Sequence, residues 1–442
     1  MRGPTPYRPL LAEPIAISES PRETPVWAEV DLCIVGGGAA GLGAAVGAQR
    51  AGVRKILLIE RYGFCGGANV AGMSGTLCGL FASGTAQPQF LTQGFSREFH
   101  DRLQLRGGVA APFPFGDTYL SVHDPLAWKE LADDYLIDSN IYALFHTLFV
   151  DVVQRDRNIT HVIVENKNGR GAIAARTFID ASGDADVIAR THAGFTEGLS
   201  GVTQAPTMIF RMTNVDVSRA LRTSPGELET KVREARNTGN YRLPRSHCYM
   251  YPSPRQGEYS CNMTRLDPPI DSGKACLSGL STNDLTYCEI EGRLLVREYE
   301  RFLQDYIPGF EDAFVNDVGA QIGIRQTRSI VGRSTLKNTD VLGAQKFGDK
   351  AVTRSAWPIE DHTGHEVHIV YLQNDFYEIP AACLVPVELD NVWAAGRCLS
   401  AEHHALASAR VVAQCLEMGF AAGEMASDFL LMHEGPRTAA GA

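Results

Sequence analysis

The sequence lacks the features that mark several classes of protein. Its ten cysteines include no CxxC pair, and a 442-residue chain with 44% hydrophobic residues can form a core without a disulfide framework. Basic residues are the minority, since 41 Lys and Arg against 51 Asp and Glu give a net charge of −10. This balance argues against a nucleic-acid partner. Because the cysteines do not indicate a disulfide framework, we expect reduced thiols and a cytoplasmic protein.

No segment is typical of a membrane span or an export signal. The longest uncharged apolar run, 32–48, approaches the ~18 residues of a spanning helix, but it contains six glycines and follows Glu29 and Asp31. Residues 1–27 are polar and carry Pro and Glu, which predicts an N-terminal arm and not a secretory signal. We expect no membrane partner.

Glycine, in contrast, is abundant, with 43 residues. Gly36-Gly37-Gly38-Ala39-Ala40-Gly41 matches GxGxxG and lies between a predicted strand at 30–35 and a predicted helix at 39–51. Its three glycines permit a tight turn, a close approach to a pyrophosphate and close helix packing, respectively. A second predicted strand, 56–59, ends on Glu60, whose carboxylate suits ribose hydroxyls and repels a 2′-phosphate. This βαβ unit predicts a site for FAD or NAD, but not for NADP.

The rest of the chain contains further predicted strands and helices. Strands at 141–153, 159–165 and 172–180 predict an antiparallel meander, and helices are expected at 226–237 and 289–306. A strand at 391–395 precedes an apolar helix from 405 to 431, which needs the first sheet to pack upon. The predicted fold class is α/β, with a Rossmann-like domain and a second, mixed α+β domain.

Three further segments carry a resemblance to a known family. They are Glu60-Arg61-Tyr62-Gly63-Phe64-Cys65-Gly66-Gly67, Phe178-Ile179-Asp180-Ala181-Ser182-Gly183-Asp184-Ala185-Asp186 and Val392-Trp393-Ala394-Ala395-Gly396-Arg397-Cys398-Leu399-Ser400. They resemble the FAD-contact segments of the FAD-dependent oxidoreductase family, within the glutathione-reductase-type flavoproteins with two dinucleotide-binding folds. The resemblance runs from about 30 to 423 and includes 324–328, 357–362 and 377–380.

This resemblance implies a discontinuous FAD-binding domain and a set of cofactor contacts. The FAD-binding domain comprises 28–80, 141–200 and 381–431, the substrate domain 201–380, the insertion 81–140 and the C-terminal tail 432–442. A helix N-terminus near Ser408–Arg410 is expected to stabilise negative charge on the reduced flavin. The implied FAD contacts are Gly36, Gly38, Ala39, Ala40, Gly41, Glu60, Arg61, Gly66, Gly67, Val150, Ala181, Ser182, Gly183, Asp184, Gly396, Arg397, Ser408, Ala409 and Arg410.

The candidate catalytic groups are two histidines and an arginine. The resemblance brings His362 and His403 towards the flavin, where an imidazole can take a proton while hydride passes to the cofactor. His403 is the first choice, with a purely hydrogen-bonding role as the alternative. Arg325 and Arg328 are three residues apart, and two alternative roles are open: the pair binds a substrate carboxylate, or it braces an interdomain turn. Cys65 and Cys78 do not form the close redox pair of thiol–disulfide reductases.

The predicted function is that of an FAD-dependent oxidoreductase, which transfers a hydride between a small organic substrate and tightly bound FAD. The electron acceptor and self-association into a homo-oligomer are left open. The alternatives are a C–C dehydrogenase or reductase of fumarate-reductase type, and a non-redox flavin-using lyase or isomerase. His362, His365 and His368 have metal-like spacing, but they lack a companion ligand cluster, so no metal site is predicted.

Overall fold

The structure, a computed structural model, describes residues 5–7 and 17–433. Residues 1–4 and 8–16 of the predicted N-terminal arm and 434–442 of the predicted C-terminal tail therefore lie outside the described residues. The helices are α1 Ala39–Arg50, α2 Phe95–Leu105, α3 Pro125–Asp138, α4 Val217–Ala220, α5 Pro225–Asn237, α6 Thr282–Tyr306, α7 Asn338–Leu342, α8 His403–Ala409 and α9 Val412–Met432. The strands are β1 Val26–Val35, β2 Ile56–Ile59, β3 Thr76–Leu77, β4 Phe113–Phe115, β5 Thr118–Val122, β6 Tyr142–Leu144, β7 Leu148–Arg155, β8 Asn158–Asn166, β9 Gly169–Asp180, β10 Phe195–Glu197, β11 Phe210–Thr213, β12 Tyr249–Pro252, β13 Tyr259–Asn262, β14 Phe314–Val318, β15 Arg328–Ile330, β16 Ala351–Ser355, β17 Ile359–Asp361, β18 His368–Val370, β19 Tyr377–Pro380 and β20 Val392–Ala394.

The central sheet combines strands from both ends of the chain. Its order is β6-β2-β1-β9-β8-β7, and β20 pairs with the end of β9. β6, β2, β1, β9 and β20 are parallel, and the last residues of four of them lie side by side: Val35 pairs with Ile59 and Asp180, and Asp180 pairs with Ala394. The predicted βαβ unit and the antiparallel meander β7-β8-β9 are confirmed, and so is the α/β fold class.

Two predicted elements are each divided in two. The strand expected over 141–153 becomes β6, which is parallel to β2, and β7, which is antiparallel to β8, because the chain turns at His146 with φ of 52°. The helix expected from 405 to 431 becomes α8 and α9, because Val411 is extended with ψ of 161°. Neither break coincides with Gly or Pro, so composition alone predicted continuous elements.

Besides a core on one face of the central sheet that includes Cys33, Val35, Leu57 and Ile59, the apolar side chains form two larger cores. One joins the central sheet to α1, α2, α3 and α9, and it takes in Trp128 of the predicted insertion and Tyr377 of the predicted substrate domain. The other lies between 208 and 322, where α5 and α6 pack with the sheet β12-β13-β11-β14. The domain boundaries stay a prediction, but the second core supports a separate packing unit at 208–322.

Helices α1 and α9 pack with their backbones in contact. The contact uses two glycines on each helix, Gly43 and Gly47 against Gly419 and Gly423. A Cβ atom at Gly419 would lie 1.9 Å from the Ala40 carbonyl oxygen. A Cβ atom at Gly423 would lie 2.2 Å from the carbonyl oxygen of Ala44, one turn further along α1. The two helices therefore run parallel, and their N-termini point to the same edge of the sheet.

We expect Gly419→Ala to lower the free energy of unfolding by about 2 kcal/mol, because the added methyl group must push two helix backbones apart. Gly226→Ala is the matched control, since a Cβ there meets nothing within 4 Å among the described residues. In α5 it should instead stabilise the protein by up to about 1 kcal/mol through helix propensity. Urea unfolding of both variants checks the pair. Equal stabilities would contradict the backbone contact.

Candidate active site at the carboxyl ends of the parallel strands

A cavity of about 500 Å³ opens where the parallel strands end. It extends from the glycine turn after β1, past Glu60 and the turns after β9 and β20, to a polar group of side chains contributed by other parts of the chain. In open α/β sheets this edge is where ligands bind, because the turns after neighbouring strands diverge there. The cavity is therefore the candidate active site.

The glycine turn leaves its backbone open to the cavity. Gly36 has φ of +103°, and a Cβ there would lie 2.4 Å from the Ala181 carbonyl oxygen, so a side chain cannot be accommodated. A Cβ at Gly38 would meet only the Cα of Gly67, at 3.8 Å. Helix α1 begins directly after this turn, and its N-terminus carries partial positive charge. The turn thus fits a pyrophosphate in the way the motif predicts.

Glu60 lines the cavity and also fixes the glycine turn. Its Oε2 accepts a hydrogen bond from the Gly37 backbone N–H at 2.7 Å, and its Oε1 accepts one from the Tyr62 N–H at 2.9 Å. Each oxygen keeps further acceptor capacity, so the carboxylate can still bind ribose hydroxyls. Cys65 lies beneath the same turn, where burial raises the pKa of its thiol, and it packs outside the cavity lining.

The turn after β9 is organised by the buried Asp180. Its carboxylate accepts hydrogen bonds from the Ser182 hydroxyl and backbone N–H, and from the N–H groups of Val187 and Ile188. Burial raises the pKa of Asp180 to about 6. Across the cavity, the Nη2 of Arg397 donates to Asp184 Oδ1 at 2.7 Å, so the turns after β9 and β20 are joined by an ion pair.

Most predicted cofactor contacts line this cavity. Those that do are Gly36, Gly38, Ala39, Ala40, Glu60, Arg61, Gly67, Ala181, Ser182, Gly183, Asp184, Gly396, Arg397 and Arg410. Gly41 and Gly66 lie just behind it: a Cβ at Gly41 would lie 1.8 Å from the Gly36 carbonyl oxygen, and the Gly66 N–H donates to the Gly37 carbonyl. Val150 lies beyond Thr147–Phe149, which form the wall there, and its contact stays a prediction.

The expectation for Ser408–Arg410 needs a correction. Ser408 and Ala409 are buried at the end of α8, where the Ser408 hydroxyl donates to the Trp357 carbonyl oxygen at 2.6 Å. The helix N-terminus that reaches the cavity belongs instead to α9, and Arg410, Val411 and Val412 line the wall there. The break at Val411 thus moves the expected N-terminus a few residues towards the C-terminus.

The end of the cavity away from the glycine turn is polar; we call it the polar chamber. Burial acts to raise the pKa of Glu360, but the hydrogen bond from His362 and the charges of Arg410 and Arg245 outweigh it and hold this pKa well below its usual range. The pKa of His362 is lowered well below 6.5, first by burial and then by Arg325. The polar chamber therefore contains an ionised carboxylate beside a neutral imidazole. Its lining residues are Thr207, Asn262, Arg325, Trp357, Glu360, His362 and Arg410.

His403, the first candidate for a catalytic base, does not line the cavity. It is buried at the start of α8, and its Nε2 lies 3.0 Å from Thr363 Oγ1 and 3.3 Å from Asp361 Oδ1. With His404 and Asp361 it forms a group whose ligand-type atoms all lie within 4.8 Å of one another. The structure therefore separates the two candidates: His362 and Arg325 line the polar chamber, and His403 lies behind it.

Sequence patterns missed several residues of the polar chamber. Thr207, Asn262 and the adjoining Arg245 come from three separate segments, and their side chains meet only through the tertiary fold. Glu360 had one local signal, because it stands two residues before His362 on β17, where alternate side chains share a face.

The sequence profile of the FAD dependent oxidoreductase family matches residues 31–435. The chain belongs to this family. No relative among curated proteins matches it. Solved structures that resemble this oxidoreductase include the flavin-dependent brominase Bmp2, with 11% identity, a TM-score of 0.49 and coverage of 91% of this chain and 80% of that one. A geranylgeranyl bacteriochlorophyll reductase-like protein from Thermoplasma acidophilum has 11% identity, a TM-score of 0.47 and coverage of 91% and 78%. The family match, and not these likenesses, carries the assignment.

FAD is accordingly the cofactor of this oxidoreductase, and the cavity fits it. The open glycine turn suits the pyrophosphate, Glu60 suits the adenosine ribose, and the turns after β9 and β20 extend the site beyond an ADP moiety. Within residues 5–7 and 17–433, no helix of this oxidoreductase has the length and apolar character needed to cross a membrane.

We expect Glu60→Arg to lose most of its FAD, because the substitution removes the acceptor for ribose hydroxyls together with the bonds to Gly37 and Tyr62. Glu29→Arg makes the same change of charge at an exposed position of β1 and should keep the wild-type FAD content. The FAD-to-protein absorbance ratio of each purified variant measures the effect. A Glu60→Arg protein that retains wild-type FAD would exclude Glu60 as the ribose ligand.

Proposed function

We propose that this FAD-dependent oxidoreductase transfers a hydride between a small organic substrate and its FAD. The observation that carries the proposal is the continuity of the cavity, since most of the predicted FAD contacts and the polar chamber line a single space. FAD, when bound, supplies a two-electron acceptor for the hydride. The side chains of the chamber have to bind the substrate, orient it and take the proton that leaves with oxidation.

His362 is the group placed to accept that proton. Its Nε2 lies 3.0 Å from Glu360 Oε1, and an ionised carboxylate makes Nε2 the protonated nitrogen. Nδ1 therefore keeps the lone pair and is the atom that takes the proton. The lowered pKa of His362 keeps the ring neutral at pH 7, and Glu360 stabilises the cationic ring that proton transfer creates.

Anaerobic mixing of the holoenzyme with hydroxy acids, sugars, amines and NADH tests the proposed reaction. We expect one class of substrate to bleach the flavin absorbance, with one equivalent of oxidised product per FAD. Product formed without bleaching would instead support a non-redox lyase or isomerase.

His362→Asn should lower the rate of flavin reduction by about 10²–10⁴-fold, because Asn keeps a hydrogen-bonding group but cannot take the proton. His368→Asn is the matched control, since His368 is exposed on the neighbouring strand β18. Wild-type rates should be flat above the ordinary histidine pKa of 6.5 and fall only at lower pH, because the neutral base is lost as pH drops through a lowered pKa.

Stopped-flow reduction across pH 4.5–8 measures both effects. A wild-type rate in His362→Asn would remove this residue from the mechanism. A comparable loss in His403→Asn alone would return the role to His403, which contacts Asp361 and Thr363.

A further inference from the structure

The polar chamber has several hydrogen-bond donors without acceptors. Two residues that line it carry buried N–H groups with no partner among the described residues: Nε1 of Trp357 and Nε of Arg410. Two more lie directly behind the lining, Nε2 of Gln204 and the Nε and Nη2 of Arg245. An unpaired buried donor costs about 1–3 kcal/mol. Donors from four separate segments therefore point to a ligand that accepts hydrogen bonds.

The chamber also holds an excess of positive charge. Arg325 is only 8% exposed, and its pKa is lowered well below the usual value, first by burial and then by Arg245 and Arg410. Glu360 opposes these three guanidinium groups. Asp361 adds a weaker opposing charge to Arg410, and it is itself engaged by Thr363 and His403. Positive charges brought together in a buried space favour binding of an anion.

Neutral contacts hold the arginines in position without neutralising them. The amide oxygen of Asn262 lies 3.2 Å from Arg245 Nη1 and 3.5 Å from Arg325 Nη2, and it also accepts from the Thr207 hydroxyl. Arg325 Nη1 donates to the Ala205 carbonyl oxygen at 2.6 Å. Arg410 Nη2 donates to Gln204 Oε1 at 3.0 Å. None of these partners carries a formal charge, so Glu360 is left as the main negative charge facing the three arginines.

We propose that the polar chamber binds a carboxylate group of the substrate, with Arg325 and the indole N–H of Trp357 as its contacts and with Arg245 and Arg410 as supporting charge. The inference rests on the proposed function in that it names the substrate class of the same site. A carboxylate supplies the acceptors that the unpaired donors lack and the negative charge that the arginines lack. Bound there, it would place the rest of the substrate beside His362, which lines the same chamber.

Ligand titration of the oxidised holoenzyme tests this without turnover. Acetate, benzoate and succinate are each compared with the neutral amide of the same shape, namely acetamide, benzamide and succinamide, and flavin difference spectra give the dissociation constants. We expect at least one acid to bind ten or more times more tightly than its amide. Failure of every acid to bind more tightly than its amide at up to 50 mM would overturn the proposal.

Variants identify the arginine whose charge makes the site bind an acid more tightly than its amide. Arg325→Gln should raise the dissociation constant of that acid about tenfold or more and leave the dissociation constant of the amide within about twofold of the wild-type value. Trp357→Phe, which removes the N–H donor and keeps an aromatic ring against Phe115, should weaken binding of the acid several-fold. Arg354→Gln is the control, because this arginine is exposed on β16 and pairs with Glu378. Equal effects of Arg325→Gln and Arg354→Gln would contradict the site.

The outcomes separate this inference from the proposed function. If acids bind selectively but no substrate bleaches the flavin, the hydride-transfer proposal fails and the carboxylate site stands. If Arg325→Gln loses FAD while Trp357→Phe keeps the wild-type discrimination between acid and amide, the arginines serve the cofactor and the carboxylate site is wrong.

Discussion

The backbone contact between α1 and α9 is the constraint on which the site depends. Gly419 against Ala40 brings the C-terminal helix to the helix that begins at the glycine turn. The two helices are parallel, and α9 begins somewhat earlier along this shared direction than α1 does, since Gly419 faces Ala40 while Gly43 faces Leu416. That extension carries Arg410 and Val412 to the cavity wall. A bulkier side chain in the contact would displace the pyrophosphate turn and the polar chamber relative to each other.

The charges along the cavity are arranged to suit a long, mostly anionic ligand and a second anion. At the glycine turn the N-terminus of α1 offers partial positive charge, and Glu60 is the negative group that suits ribose hydroxyls. Further along, Arg397 is neutralised by Asp184, so the turns after β9 and β20 add little net charge. The polar chamber is different, because its three arginines exceed its carboxylates. The excess lies where the substrate is proposed to bind.

The two candidate histidines differ in surroundings more than in chemistry. His403 follows the turn after β20 in sequence, but the chain leaves the cavity lining after Arg397 and returns to it only at Arg410, and the His403 ring is held by Asp361 and Thr363. His362 reaches the cavity directly after β17, where Glu360 orients its ring, and burial together with Arg325 lowers its pKa. Proximity along the chain to a cofactor turn was therefore a poor guide to proximity in space. The path of the chain between Arg397 and Arg410 decided that His403 does not reach the cavity.

The sequence by itself determined the βαβ unit, the glycine turn and the carboxylate at Glu60, because these depend on short-range constraints: positive φ, hydrophobic periodicity and a fixed order of strand, turn and helix. It also pointed to the turns after β9 and β20. Only the tertiary structure decided that α9 begins at Val412, since no Gly or Pro marks the break. The polar chamber was likewise invisible in sequence, because Arg245, Asn262 and Arg325 come from segments far apart along the chain. Long-range packing, which no local pattern encodes, brings their charges together beside a single opposing carboxylate of the chamber, Glu360.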